Sequence, residues 1–399
     1  MATLEQSGSP ARYAIVNGRV VLADRLVDGV SLLVEEGRIA GVGDTDAFGS
    51  EVLQIDVEGR LVAPGFVDIH THGALGHEFN EGTPEAFSTI VREQAVHGVT
   101  SVLATTSSSP LHDTTRCLEL LWGWSGVPDG AQIVGAHLEG PFFNTRQGGA
   151  QDPQWLGAPD SAAVDELLQY ADVIRIMSLA PELPGARALV RRLSALGIVP
   201  AAGHSEARDQ DILLAVGSGL RHVIHLWSGQ STTVRNGPWR QPGLLEASLA
   251  FDSLTAEIIA DGRHLPATLM RMAYKCKGAD RLCIVSDATR GAGLAEGAHF
   301  RLGSLECEVR DGVAMLIDRT AFAGSTTLLD RMLSVVTRDV GVPLVEAIKM
   351  MTRTPAAIIG LDDRKGLIRE GADADLVVLD STLNVWATVV MGRWVYRAS

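Results

Sequence analysis

VAPGFVDIHTHG, residues 62–73, sets two histidines two positions apart at the end of an apolar run and directly before a glycine. Residues i and i+2 of an extended chain share a face. His70 and His72 therefore point the same way, with Asp68 in phase one step deeper. A strand apolar on both faces belongs to a buried parallel sheet. Barrel enzymes keep their chemistry at the C-terminal ends of such strands, and a HxH pair there can chelate one ion.

The pattern continues downstream. Strand-like runs follow as GVTSVLATT, QIVGAHLEG, VIRIMSLAP, IVPAAGHS, HVIHLW, LTAEIIADG and LCIVSDA. Helix-like stretches such as TPEAFSTIVREQAVHG, SAAVDELLQYA, GARALVRRLSALG and ATLMRMAYKCKG lie between them. This alternation predicts an α/β protein built on a (β/α)₈ TIM barrel. A doubly wound sheet is the alternative, but no GxGxxG follows the first strand. Residues 13–63 and the C-terminal stretch instead read as short alternating strands punctuated by Asn-Gly, Glu-Gly and Gly-Arg, which is hairpin chemistry. They predict a small β-sandwich formed by both termini, with residues 1–63 and 364–399 flanking a catalytic barrel at 64–363. SGSP near the start and the loop STTVRNGPWRQPG are the expected mobile segments.

Composition narrows the function. Of 399 residues, 46% are hydrophobic, enough for a large core, and the 42 glycines suit many tight connections. The formal charge of −14 and the lack of a Lys/Arg-rich run exclude nucleic acid and anionic membrane as partners. No basic segment leads into an apolar stretch at the N-terminus, and no apolar run reaches the roughly 18 residues of a membrane span, so a cytoplasmic protein is expected. Cys117, Cys276, Cys283 and Cys307 form no CxxC and read as buried thiols of a reducing compartment.

Polar residues recur at the predicted strand ends: His70 and His72, His137 and Glu139, His204, His222 and His225, Asp261 with His264, and Asp287. Imidazoles and carboxylates in these places are what a divalent transition metal needs. His222 and His225 are three apart, so a regular strand cannot turn both inward, and His225 is preferred as nearer the end. His77, His97, His112 and His299 fall in predicted helices or loops and read as surface or supporting groups. No GxSxG points to a serine nucleophile.

PGFVDIHTHG, HLEGPF, GHS, VIHL, IADGRH, SDAT, FAGS and GADADLVVLD, in that order, resemble the amidohydrolase superfamily and, within it, the N-acetylglucosamine-6-phosphate deacetylase family. The resemblance implies a metal held by Glu139, His204 and His225, a second metal position at His70 and His72, and Asp287 as the catalytic aspartate. It implies one or two divalent ions, zinc first, with iron, manganese or cobalt as alternatives. It implies a hydrolase that frees acetate from N-acetylglucosamine 6-phosphate. Arg240 and His264 would contact the phosphorylated sugar. Ala150 and Phe322, Ala323 and Gly324 would line its pocket. One phosphate contact would come from a second subunit of a homodimer.

The chain departs from the family at the substrate side. The Asn-Ala pair expected after the sixth-strand histidine is Ser228-Gly229 here. Glycine offers no side-chain hydrogen bond and serine reaches less far than asparagine, so Gln230 is a candidate replacement. Trp239 stands beside Arg240, and Arg290 stands where a small residue is usual; Arg235, Arg240 and Arg290 could serve an anion. The departures leave open another N-acyl amino sugar, phosphorylated or not, or another amide. A catalytically silent sugar-phosphate binder would require a broken ligand set, and this set is intact.

Overall fold

A computed structural model describes residues 10–49 and 51–398, so residues 7–9 of the SGSP segment lie outside the described residues. Its centre is an eight-stranded parallel sheet running in the order Phe66–Thr71, Val99–Thr106, Gln132–Glu139, Ile174–Leu179, Val199–Ala202, His222–Val223, Thr255–Ile259 and Leu282–Val285. Each run named from sequence supplies one of these strands. The outer two meet where Asp287 N–H donates to the His70 carbonyl at 2.8 Å and Ser286 N–H to Asp68 Oδ1 at 3.3 Å. The barrel thus closes beside the HxH pair.

Helices cover the barrel as their apolar spacing dictates. Pro84–Val96 begins on Thr83, whose side chain accepts from Ala86 N–H, and buries Phe87, Ile90 and Val91. Ala186–Ala195 buries Leu189, Val190 and Leu193 in the same way.

The two chain ends form one mixed sheet. Leu61–Pro64 pairs antiparallel with Leu376–Leu379 and parallel with Arg12–Val21, which joins residues over 300 positions apart. Inward residues from both ends, among them Tyr13, Leu32, Val62, Val378 and Val389, pack as one cluster. The faces of the expected sandwich belong to this continuous sheet. Lys365, buried, donates to Asp375 Oδ2 and to Gln132 Oε1 at the start of a barrel strand, both at 2.6 Å, and so pins sheet to barrel.

Three features depart from the sequence reading. The segment 231–243 is not irregular throughout but contains an exposed hairpin, Val234–Asn236 with Trp239–Gln241. A three-stranded antiparallel sheet, His299–Leu302, Leu305–Arg310 and Val313–Leu316, follows the last barrel strand. Cys276 is exposed, on the outer side of a helix, whereas Cys117, Cys283 and Cys307 are buried as expected.

Candidate metal centre and active site

Glu139 ends its barrel strand with its carboxylate among four imidazoles. Its Oε1 lies 2.9 Å from His225 Nε2, 3.0 Å from His204 Nε2 and 3.6 Å from His70 Nε2, and its Oε2 lies 3.3 Å from His72 Nε2. Asp287 Oδ1 stands 3.3 Å from His72 Nε2 and 3.5 Å from His70 Nε2. The ligand set expected from the resemblance is therefore brought to one place. Three of these residues bend the chain as their strands end: φ is +44° at His204, +22° at His225 and +47° at Asp287. Left-handed backbone at non-glycine residues costs of order 1–3 kcal/mol each and persists where the surroundings impose it, commonly at functional sites. The bend also explains His225. The strand stops at Val223, so His222 and His225 both reach the barrel interior although they are three apart.

Hydrogen bonding fixes which ring nitrogens bear protons. His204 Nδ1 lies 2.8 Å from the Gln147 carbonyl, which can only accept, so Nδ1 carries the hydrogen and Nε2 turns a lone pair toward Glu139. His70 Nδ1 lies 2.9 Å from Glu257 Oε2, leaving its Nε2 buried without a hydrogen-bond partner. Lone pairs facing a carboxylate at these distances repel unless a proton or cation lies between them. Ligand atoms of a tetrahedral ion bound at about 2.0–2.1 Å lie roughly 3.4 Å apart, close to the spacings here. Groups of ligand-bearing residues gather as His70, Glu139 and His225 and as His70, His72 and Asp287, sharing His70. The nitrogen and oxygen donors fit a divalent metal.

Burial and charge act on the surrounding acids and bases. Burial alone would raise the Glu139 carboxyl, but its close contacts with the His204 and His225 imidazoles outweigh burial and hold the group well below its ordinary range. Burial pushes Asp68 up to about 7. Burial and the neighbouring His70 bring His137 down to about 3. His137 is a satisfied core residue, bound to the Ile69 carbonyl at 3.0 Å and Ser178 Oγ at 2.7 Å, rather than part of the cluster.

Two supporting residues escaped the sequence reading. Gln151 donates through Nε2 to Glu139 Oε2, while its Oε1 accepts from Ser108 N–H at 2.8 Å. It fixes the carboxylate so that Oε1 faces His204 and His225. Glu257, fully buried, binds His70 and also His222, whose Nε2 lies 2.9 Å from its Oε1. The signal for Glu257 was an acid inside an apolar strand, in phase with Asp261; Gln151 sits in a loop with no periodic signal.

A cavity of about 330 Å³ opens above the cluster, within the range of small-ligand sites. Ala150, Ser228, Gly229, His264, Phe322, Ala323 and Gly324 all line it, together with Asp287 and Trp227. His264 is held by Asp261 Oδ2 at 2.8 Å, with its ring 4.7 Å from that of Phe322. Gly324, at φ +69°, lets the 322–324 loop pass so close that a Cβ there would meet the Asp287 carbonyl oxygen at 2.6 Å.

Other expected contacts are not made within one chain. Arg240 lies outside the cavity on the exposed hairpin, bonded to the Pro238 carbonyl at 3.1 Å, and Arg235 there bonds the Gly237 carbonyl. Trp239 beside it is 75% exposed. Gln230 does not reach in: it donates to the Ile224 carbonyl at 2.7 Å and accepts from Trp227 N–H. Arg290 pairs with Glu81 at 2.8 Å and Glu78 at 3.3 Å. Among the described residues no lysine or arginine lines the cavity. His77, His97 and His112 all pair with acids away from the metal cluster.

A closed parallel barrel with imidazole and carboxylate ligands at its strand ends defines a metal-dependent hydrolase scaffold. Residues 61–395 match the Amidohydrolase family, and the chain belongs to it. It is 32% identical over 338 residues to an N-acetylglucosamine-6-phosphate deacetylase of Vibrio furnissii, covering 84% of this chain and 83% of that one. It is 30% identical over 381 residues to an N-acetylgalactosamine-6-phosphate deacetylase of Escherichia coli O157:H7, covering 94% and 97%. The crystal structure of N-acetylglucosamine-6-phosphate deacetylase from Pasteurella multocida superposes with a TM-score of 0.90 at 28% identity, covering 97% of this chain and all of that one. The family resembled by the motifs is the family found, and the chain is an enzyme acting on carbon–nitrogen bonds. No described helix is long and apolar enough to cross a membrane.

Proposed function

We propose that this chain hydrolyses the acetamide of N-acetylglucosamine 6-phosphate, giving glucosamine 6-phosphate and acetate. The observation that carries the reading is the convergence of His204 and His225 on Glu139, each Nε2 within 3.0 Å of its Oε1, with Asp287 at the floor of a sugar-sized cavity. The names of relatives that match most of the chain support the same substrate class.

Glu139, His204 and His225 would hold one divalent ion, and His70 and His72 a second. A bound ion supplies Lewis acidity, polarising the amide carbonyl and acidifying water. Asp287 accepts the proton of the attacking water and returns it to the leaving nitrogen; one carboxylate serves both steps because acid follows base. The C–O bond forms first, making the acyl carbon tetrahedral; the C–N bond then breaks as the nitrogen is protonated, and the former water oxygen leaves in acetate. His264, fixed by Asp261, donates to the substrate, while Ala150, Ser228, Gly229 and the 322–324 loop bound the sugar.

The phosphate needs a cation that the cavity's own walls lack. Arg240 on its projecting hairpin, supplied by a second copy in a homodimer, answers that need as a bidentate donor. Zinc is the proposed metal, and the cytoplasm the proposed compartment. The barrel and its sheet are proposed to divide at residues 63 and 364. Acetate release from the 6-phosphates of N-acetylglucosamine and N-acetylgalactosamine, and from the unphosphorylated sugars, tests the reading. Fastest turnover of N-acetylglucosamine 6-phosphate is expected. Preference for another N-acyl sugar would move the substrate, as the Ser228-Gly229 departure allows, and no turnover of any phosphorylated sugar would overturn the proposal.

A further inference from the structure

Beneath the metal cluster, inside the barrel, a hydrogen-bonded chain runs Thr255, His222, Glu257, His70. Thr255 Oγ1 lies 2.7 Å from His222 Nδ1, His222 Nε2 lies 2.9 Å from Glu257 Oε1, and Glu257 Oε2 lies 2.9 Å from His70 Nδ1. Glu257 Oε2 also accepts from the backbone N–H of His225 at 3.3 Å. His70, His222 and Glu257 are wholly buried.

One proton arrangement satisfies every link with both imidazoles neutral. The single Thr255 hydroxyl hydrogen goes to His222 Nδ1 at 2.7 Å rather than to the Arg221 carbonyl at 3.2 Å, His222 Nε2–H donates to one oxygen of Glu257, and His70 Nδ1–H donates to the other. The Nε2 atom of His70 is then a lone pair, buried and unpartnered, aimed between Glu139 and Asp287. A carboxylate behind a ligating histidine fixes its tautomer and ring plane and raises its basicity. Nothing comparable stands behind His72 or His225, whose Nδ1 atoms have no hydrogen-bond partner. Among the histidines of the cluster, His70 is the one committed from behind by a charged group.

We propose that Glu257 is the positioning residue for a second metal ion: it commits His70 to the group formed with His72 and Asp287, so that the chain binds two ions and loses mainly the second when Glu257 is changed. The inference rests on the metal reading above and deepens it. Glu257 touches no substrate and lies below the cavity.

The test is metal binding, independent of turnover. The full-length chain is stripped with chelator and titrated with Zn²⁺, and the number and affinity of bound ions are read by competition with a chromophoric chelator and by elemental analysis. The wild type is expected to take two ions per chain. Glu257→Gln is expected to keep the tighter ion within about threefold and to bind the weaker one 10- to 100-fold less tightly, the usual effect of losing such a partner. His70→Gln should lose the same ion, and the double variant should lose no more than His70→Gln alone. Melting temperatures of the metal-free proteins report folding. If Glu257→Gln does not fold, Thr255→Val, which removes the hydroxyl behind His222, should weaken the same ion by threefold or more. One ion in the wild type, unchanged binding in Glu257→Gln or equal loss of both ions would overturn the inference while leaving the hydrolase reading intact. No ion in the wild type would overturn the hydrolase reading itself.

Discussion

The imidazole of His204 joins two oxygens, its Nδ1 2.8 Å from the Gln147 carbonyl and its Nε2 3.0 Å from Glu139 Oε1. The first contact spends the neutral ring's single hydrogen, so the second needs a further proton or a bound cation. Removing the metal should therefore destabilise the fold as well as silence the enzyme. Calorimetry before and after chelation is expected to show a lower melting temperature that returns on adding the ion. At a hundredfold excess of ion over its Kd the difference corresponds to about 2.7 kcal/mol. An unchanged melting temperature in a protein shown to have lost its metal would contradict this.

Asp287 contributes chemistry beyond any share in ligation. Asp287→Asn keeps shape and a metal-facing oxygen but cannot take a proton. It is expected to lower kcat by about 10²–10⁴-fold with the tighter metal site still filled. Steady-state kinetics beside elemental analysis checks both, and retained activity would remove Asp287 from the mechanism.

Gly324 sets the position of Asp287 through the backbone. A methyl group there would lie 2.6 Å from the Asp287 carbonyl and 2.5 Å from Thr289 Cγ2, at a φ of +69°. Ser325 N–H also donates to that carbonyl at 2.8 Å. Gly324→Ala should displace this stretch, reducing kcat by roughly tenfold or more and costing on the order of 1–3 kcal/mol in stability. Wild-type kinetics in a folded Gly324→Ala protein would show that the close approach does not matter.

His97 gives a pH test far from the metal. Its Nδ1 lies 2.9 Å from Asp330 Oδ1 and its Nε2 3.3 Å from Glu93 Oε1. Burial works against charge on this ring, but the two carboxylates outweigh it and raise its pKa from 6.5 to about 9. Because the folded value lies above the unfolded one, the stabilisation is complete below pH 6.5 and is lost as the pH rises through about 9. Denaturant unfolding of His97→Gln against wild type should differ by about 1–2 kcal/mol at pH 6, allowing for partial exposure, and converge above pH 9. A difference independent of pH would refute the assignment.

Most of the fold could be read because its signals are local. Each barrel strand is a continuous apolar run between helix-like stretches, and the alternation within DIHTH settles which way His70 and His72 face. What escaped depends on partners far along the chain. Glu257 is buried inside TAEII and is explained by His222, 35 residues away, and His70, 187 residues away. His137 and Glu139 share a face, yet one meets the Ile69 carbonyl and the other the imidazoles, a difference of depth that spacing does not encode. His225 reaches the interior through a bent backbone rather than a regular strand, which alternation could not foresee. Arg240 resembles a phosphate ligand by its neighbours in sequence, but the exposed hairpin that carries it contributes no residue to the lining of its own cavity.

The central claim is that these scattered imidazoles and acids gather around a bound cation. Anomalous X-ray scattering at the zinc edge, from crystals of protein supplied with saturating Zn²⁺, tests it most directly. A peak is expected within about 2.0–2.2 Å of Glu139, His204 Nε2 and His225 Nε2. No anomalous density among those three residues, in crystals of folded and metal-saturated protein, would contradict the account.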